Sequence, residues 1–387
     1  MNLKTVKFLD KVALFLFVLI FSPILFLVVK SFNQDTESLQ YLFKNLLFDY
    51  SFNTIYLVII TSFFSLIFGI IPAWYVSNYQ FAGRRILDMI LYLPLAIPTY
   101  IMAFTYSELL SFTGPFKITY DFLQIEILGI LLAFSLYPYI YSVSRISFSL
   151  FGSRYYDMAK NLGLNAYQTI LKVVLPLSKP AILSGLFLVV MEVLNEYGAV
   201  KYFGVNTYTI GIFRSWNSMN DSGAAIQLSS ILLFIVAFLF FIEKYFNQNK
   251  RFSFSKNTQL APLLRPNNSM KSLIYVICLI PIILAFLVPV FFNMINIFSS
   301  YDNINFERLL NLTLNSFTVS MIASVLILIV STFFLYNEKI SKSKVYYYIN
   351  QFISLGYSIP GAVVALAVII SVTSLDNLDD NIKLLGG

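Results

Sequence analysis

The amino-acid sequence predicts an all-α, polytopic membrane protein, and three observations predict it. Apolar residues make up 58% of the 387 residues and charged residues only 12%, against about a quarter charged in a soluble domain. The mean hydropathy of +0.76 leaves too few polar side chains to cover a water-facing globule. The apolar residues also gather into nine runs, each close to the roughly 20 residues a helix needs to cross a bilayer. The 39 Phe and 26 Tyr suit lipid-facing surface and interfacial belts.

The predicted spans are 12–30, 53–76, 86–109, 124–144, 181–201, 224–243, 273–295, 315–336 and 352–374. The first follows Lys4, Lys7 and Lys11 in the manner of a signal peptide. It is long for such a segment, and Pro23 to Asn33 offers no small-x-small cleavage site, so it reads as a retained helix. Basic residues set the orientation. With the N-terminus in the cytoplasm, Arg84 and Arg85 follow span two on the inside. Arg145, Arg154, Lys160, Lys172 and Lys179 follow span four, and Lys244 to Lys271 supply six more after span six. Lys339, Lys342 and Lys344 follow span eight, while most of the 19 acidic residues fall on the other side. The net charge of +7 is thus orientation charge and not a nucleic-acid footprint. Gly83-Arg84-Arg85 reads as an anchor of this kind, although a short Gly-Arg-Arg loop is also similar to motifs of major-facilitator carriers.

Several chemistries are excluded. The chain has no His, which removes His-dependent triads, HExxH zinc sites and His-based pH switches. Its one cysteine, Cys278, lies in an apolar run and has no partner for an intramolecular disulfide. No GxxxxGK[ST] phosphate loop occurs. No catalytic residue and no metal site is assigned.

A repeat organises the chain. Segment 53–78 (NTIYLVIITSFFSLIFGIIPAWYVSN) aligns with 315–339 (NSFTVSMIASVLILIVSTFFLYNEK), and the Ile-Pro of 97–98 aligns with that of 359–360, both at an offset of 262 residues. Two matches at one offset predict a duplicated unit in parallel orientation. The first unit is expected at 1–246 with six spans, a polar cytoplasmic linker at 247–271, and an incomplete second unit of three spans at 272–387.

The loop after span four, 154–180 (RYYDMAKNLGLNAYQTILKVVLPLSKP), is too polar to span yet is patterned. Tyr155, Met158, Ala159 and Leu162 fall at helical spacing, and Gly163 can supply the positive φ that ends a helix. Asn165 and Gln168 form a capping-box pair. Tyr167, Ile170, Leu171 and Val174 then make a second apolar stripe, which Pro176 and Pro180 are expected to limit. The pattern is helix, glycine turn, helix. Either it folds against its own bundle or it docks a soluble partner.

This loop resembles the EAA motif of ABC-importer permeases, E-A-A-x3-G-x9-I-x-L-P. The motif positions fall on Asp157, Met158, Ala159, Gly163, Val173, Leu175 and Pro176, with Asp for Glu, Met for the first Ala and Val for Ile. The resemblance implies a type I importer permease fold whose coupling helix seats in a cytoplasmic ABC ATPase dimer. ATP and Mg would be bound by that partner, and this chain would carry no cofactor. It further implies an inner-membrane, multi-pass subunit served by a periplasmic or extracellular substrate-binding protein. Segments 81–106 and 191–216 are similar to ferric-iron permeases, a branch with two fused six-span units. Thiamine, phosphonate and some polyamine permeases share parts of the pattern.

Glu192, Asn195, Glu196 and Tyr197 sit in or just beyond span five. Ionisable residues within a span are costly and mark function by default. Glu192 and Glu196, four residues apart, are expected on one helix face. Either they line a translocation path, where carboxylate oxygens suit a hard cation, or they reach out to water at the membrane edge.

The expected function is the permease subunit of an ATP-driven importer, most readily for ferric iron. The alternatives of another class are an ion-coupled secondary transporter and a non-transporting membrane scaffold. At the 262-residue offset a second coupling loop would begin past residue 387, so the sequence is expected to represent a truncated or split permease.

Overall fold

The computed structural model describes residues 3–32, 36–112, 114–117, 122–247, 263–301, 304–341 and 343–385. Sixteen α-helices follow in order: α1 Leu3–Ser31, α2 Thr36–Asn45, α3 Leu47–Asn78, α4 Arg84–Ile90, α5 Thr99–Leu110, α6 Ile125–Asn161, α7 Ala166–Thr169 and α8 Leu175–Asn195. Then come α9 Gly198–Tyr202, α10 Tyr208–Phe213, α11 Ser222–Asn247, α12 Asn268–Ile282, α13 Val288–Ser299, α14 Phe306–Ser341, α15 Lys344–Leu355 and α16 Gly361–Leu385. Among the described residues the only β pairing is one isolated bridge, Tyr79 with Leu264.

Among the described residues seven helices are long and apolar enough to cross a membrane, and two bent helix pairs bring the number to nine if each pair makes one span. The expected spans 86–109 and 352–374 are therefore broken and not straight. Arg84–Ala96 turns by 89° into Thr99–Leu110, and Lys344–Ser358 turns by 107° into Gly361–Asp376. The cause is the Ile-Pro pair at each break. Proline lacks the N–H that would continue the ladder, and it drives the residue before it toward extended backbone. Ile97 accordingly has φ −97° and ψ 116°. The two pairs, 97–98 and 359–360, keep the 262-residue offset.

The chain packs as two compact units. One comprises Thr36–Leu228 and Phe238–Met294. Its centre is α6, whose apolar window is 72% buried. Close approach there depends on small residues, as expected where helices have no hydrophobic drive to pair within lipid. A Cβ on Gly69 of α3 would stand 2.8 Å from Ile140 Cβ, and one on Gly185 of α8 would stand 2.7 Å from Val143 Cγ2. A Cβ on Gly129 of α6 itself would stand 2.5 Å from Ile60 Cγ2. The core around Leu128, Leu132, Tyr137 and Ile140 extends to Ile274, Cys278 and Ile282 of α12. The polar linker 247–271 is described only at its ends, 248–262 lying outside the described residues. Its far end is pinned: Leu264 N donates to Asn78 O at 2.8 Å and Gln80 N donates to Leu264 O at 2.9 Å.

The other unit comprises Met1–Asp35, Ser229–Ala237 and Ile295–Gly387. In it α1 packs on α14 and α16, with Ala13, Phe334 and Ile349 buried together. The apolar window of α14 is only 6% buried. Packing thus groups α1 with the helices after residue 295 and α12 with the helices before residue 228, a grouping that differs from the order of the sequence repeat.

Candidate functional site

Two places concentrate the polar and exposed groups that the sequence singles out: the break in the α4–α5 span, and the turn between α6 and α7.

At the break, Leu95, Ile97, Pro98 and Thr99 form one wall of a cavity of about 210 Å³, with Ser135, Leu136 and Tyr139 of α6 and the carboxylates Glu192 and Glu196 completing it. Thr99 Oγ1 donates to Glu196 Oε2 at 2.6 Å, and Tyr139 OH donates to Glu192 Oε1 at 3.3 Å. Glu196 Oε1 accepts from Ala199 N at 2.8 Å. Both carboxylates do meet at one site, but not by sharing a helix face. α8 ends at Asn195, and Glu196 has extended backbone, φ −66° and ψ 126°. The chain turns there and α9 packs on α5, so closely that a Cβ on Gly198 would stand 2.9 Å from Tyr100 Cβ. Asn195 is not among the cavity's walls, and its buried Oδ1 has no hydrogen-bond partner among the described residues. Tyr197 faces a different pocket, its ring 4.3 Å from that of Phe213. Thr99, Ser135 and Tyr139 escape sequence reading; the one signal for them is the Ile-Pro pair, which marks where a helix opens its backbone.

The inner arm of the broken span is tied to α6. Arg145 Nε donates to Asp88 Oδ1 at 2.7 Å and Arg145 Nη2 to Asp88 Oδ2 at 2.5 Å. Tyr141 OH adds a third bond to Asp88 Oδ1 at 2.7 Å. Bidentate guanidinium–carboxylate pairs fix direction as well as distance. Arg84, in the Gly-Arg-Arg segment, donates from Nε to Val76 O at 2.6 Å, and Gly83 before it takes φ +72°.

At the other end of α6 the turn forms as its local chemistry dictates. Gly163 has φ +84°, and Leu164 N donates back to Ala159 O at 3.0 Å, closing the helix end in a Schellman arrangement. Gln168 N donates to Asn165 Oδ1 at 2.8 Å and Asn165 N donates to Gln168 Oε1 at 3.3 Å. This is the capping box, with both orphan donors satisfied. Two expectations need correction. The helix before the turn is the continuous end of α6, which runs unbroken from Ile125 to Asn161. The helix after it is not limited by Pro176 or Pro180: it continues through a π turn, Ile170–Val174, into α8. In that wider turn Leu175 N donates to Ile170 O, so the ladder is already displaced where Pro176 supplies no donor.

The apolar stripes divide. Ala159, Thr169 and Val174 are buried, and the π turn packs on α6. Met158, Leu162 and Leu171 are exposed, Leu162 by 83%. Val173 and Leu175 are half-buried and Pro176 is exposed. The side chains of Asp157, Tyr155 and Tyr167 lie outside the described residues. Met158, Leu162 and Leu171 thus leave large apolar side chains in solvent at the turn and on the helix that follows it.

Comparison with known proteins now bears on this arrangement. Residues 65–252 match the family of binding-protein-dependent transport system inner membrane components. The matched stretch includes both the cavity carboxylates and the Gly163 turn. The sulfate transport system permease protein CysT of Escherichia coli is 32% identical over 156 residues, covering 38% of this chain and 55% of that protein. The probable sulfate permease of Helicosporidium is 34% identical over 38% of this chain and 57% of its own length. The Fe(3+)-transport system permease protein FbpB 2 of Haemophilus influenzae is 24% identical, but over 90% of this chain and 68% of its own length. The chain therefore spans little more than half the length of these two sulfate permeases. Sulfate is absent from the substrates that the sequence pattern suggests.

Proposed function

We propose that this chain is the membrane-spanning permease subunit of an ATP-binding-cassette importer. The observation that carries the reading is the family match over 65–252, which spans the rigid, exposed turn at Gly163 and the cavity at the broken span. The two sites are joined by one element. From Tyr139 at the cavity to Asn161 at the turn α6 runs about 33 Å at 1.5 Å per residue. Arg145 on its path grips Asp88 of α4. A push on the turn by a nucleotide-driven partner is thereby delivered to the inner arm of the broken span. That arm is a cavity wall, so the motion opens or closes the cavity. The chain needs no reactive group for this; ATP and Mg belong to the ATPase dimer, and an extracellular or periplasmic binding protein supplies the cargo. The distribution of basic residues supports a cytoplasmic N-terminus in a plasma or inner membrane.

The cargo we favour is ferric iron. Two carboxylates line the cavity, hard oxygen ligands suit a hard cation, and the likeness to the Fe(3+) permease covers most of this chain. Among the described residues no group of three or more His, Cys, Asp or Glu gathers to hold a metal. Transit requires that an ion be held loosely enough to leave again, and a cavity with two carboxylates is compatible with that. The second reading is sulfate, favoured by the higher identity to sulfate permeases over 156 residues. The repeat at 262 residues supports a second, homologous half beginning near residue 272.

The test is co-purification of the membrane protein with its soluble ATPase, native against Leu162→Asp. A charge on this fully solvated side chain leaves the fold intact and removes the apolar contact. Loss of the ATPase from the variant is expected; equal recovery from both would refute docking at this turn. Uptake of radiolabelled iron against radiolabelled sulfate separates the two cargo readings.

A further inference from the structure

A second pocket, of about 200 Å³, lies in the segment that joins α8 to α11, at the end of α8 opposite to the Gly163 turn. Its lining includes Lys201, Arg214, Asn217 and Ser218, and no carboxylate. Each of these four side chains is exposed and each can donate. The cations are held in place. Lys201 Nζ sits 5.4 Å from the centre of the Tyr197 ring, and Arg214 is placed by the π turn that it opens. Of the carboxylates that flank the segment, Glu196 accepts from Ala199 N and Thr99, and Asp221 Oδ1 accepts from Ala224 N at 2.9 Å. The backbone is specialised too. Gly204 in the lining takes φ +68°, and Arg214–Ser218 is a π turn, a rare form that gathers at functional sites. The turn brings Arg214, Asn217 and Ser218 to one pocket.

We propose that this pocket binds a small oxyanion, a sulfate, phosphate or carboxylate group, held by Lys201 and Arg214 with Asn217 and Ser218 as neutral donors. Two cations in a lining that holds no carboxylate favour an anion, and a guanidinium presents its N–H groups as a fork for two oxygens. The volume admits a group of several heavy atoms, since a water's share of the liquid is about 30 Å³. The group arrives either free in solution or as an acidic side chain on a polypeptide presented to this face. The site stands whether the cargo is iron or sulfate, and its test does not involve transport.

The experiment is thermal unfolding of the purified chain in detergent, titrated with sodium sulfate against sodium chloride of equal ionic strength, and in parallel with tetraglutamate. Sulfate is expected to raise the midpoint along a saturable curve. Arg214→Met and Lys201→Met should each weaken the apparent Kd about tenfold, the value of one charge-assisted hydrogen bond. Lys201→Arg should retain binding, which shows that charge and not fold is being read. Tighter binding of sulfate identifies a free anion as the source, and tighter binding of tetraglutamate identifies a side-chain carboxylate; both support the site. A midpoint that does not move with either, or that moves equally in the double variant through general salt exclusion, overturns it.

Discussion

Replacing Gly163 with valine isolates the backbone at the proposed coupling turn. A Cβ built on Gly163 would meet nothing within 4 Å, while φ is +84°. Crowding therefore contributes nothing and the whole effect lies in the dihedral. A left-handed conformation costs an L-residue about 1–2 kcal/mol, and a β-branched side chain sits at or above the top of that range. At 1.4 kcal/mol per factor of ten, about 2 kcal/mol shifts the population of the turn roughly 30-fold toward open forms. Opening breaks the bond from Leu164 N to Ala159 O and lets Leu162 swing from its fixed direction. Reconstituted vesicles with the ATPase and binding protein supply the assay: substrate taken up per ATP hydrolysed. Gly163→Val should insert and assemble normally but lose about tenfold or more in that ratio, by the same arithmetic. Gly163→Asn should stay near the native value, because Asn visits the left-handed region at little cost. An unchanged ratio in Gly163→Val would show that this turn does not transmit the stroke.

Other perturbations follow the same logic. Glu192→Gln and Glu196→Gln should each slow iron uptake with normal protein levels in the membrane, measured with labelled ferric iron; the Glu196 change should also lower thermal stability, since Gln can keep an acceptor for Ala199 N only by turning its NH2 to Thr99 and loses the charge that strengthens both bonds. Asp88→Asn removes the charge that three donors address. With the Arg145 and Asp88 side chains 27% and 20% exposed, it should cost about 1–3 kcal/mol, read as a lower unfolding midpoint and as weaker coupling. Asn165→Ala should cost about 1 kcal/mol by removing the cap, with a smaller fall in midpoint than Asp88→Asn. Reporter fusions at residues 117 and 305 should both signal outside; a cytoplasmic signal at either would overturn the proposed orientation.

The sequence by itself determined whatever depends on neighbours a few residues apart. Nine apolar runs follow from composition along the chain, and among the described residues seven of them are single helices and two are bent helix pairs. The Gly163 turn and the Asn165–Gln168 cap were legible because each is closed within about one helical turn, where residue type alone sets the conformational preference. The tertiary structure decided what depends on groups far apart in the chain. Glu192 and Glu196 converge because α8 ends between them and the Ile-Pro break brings Thr99 across, not because of their spacing. Ala159 and Val174 are buried while Met158 and Leu162 are not, because only the packing of the π turn on α6 distinguishes the two sides of an apolar stripe. Pro176 reads as a stop in the sequence, yet the helix passes it, because a π turn has already shifted the ladder. Lys201 and Arg214, thirteen residues apart, carry no joint signal until the fold sets them in one pocket. Local preference is a property of the chain; the meeting of two surfaces is a property of their shapes, which side-chain volumes such as those missing at Gly69, Gly129 and Gly185 fix only once the helices are in place.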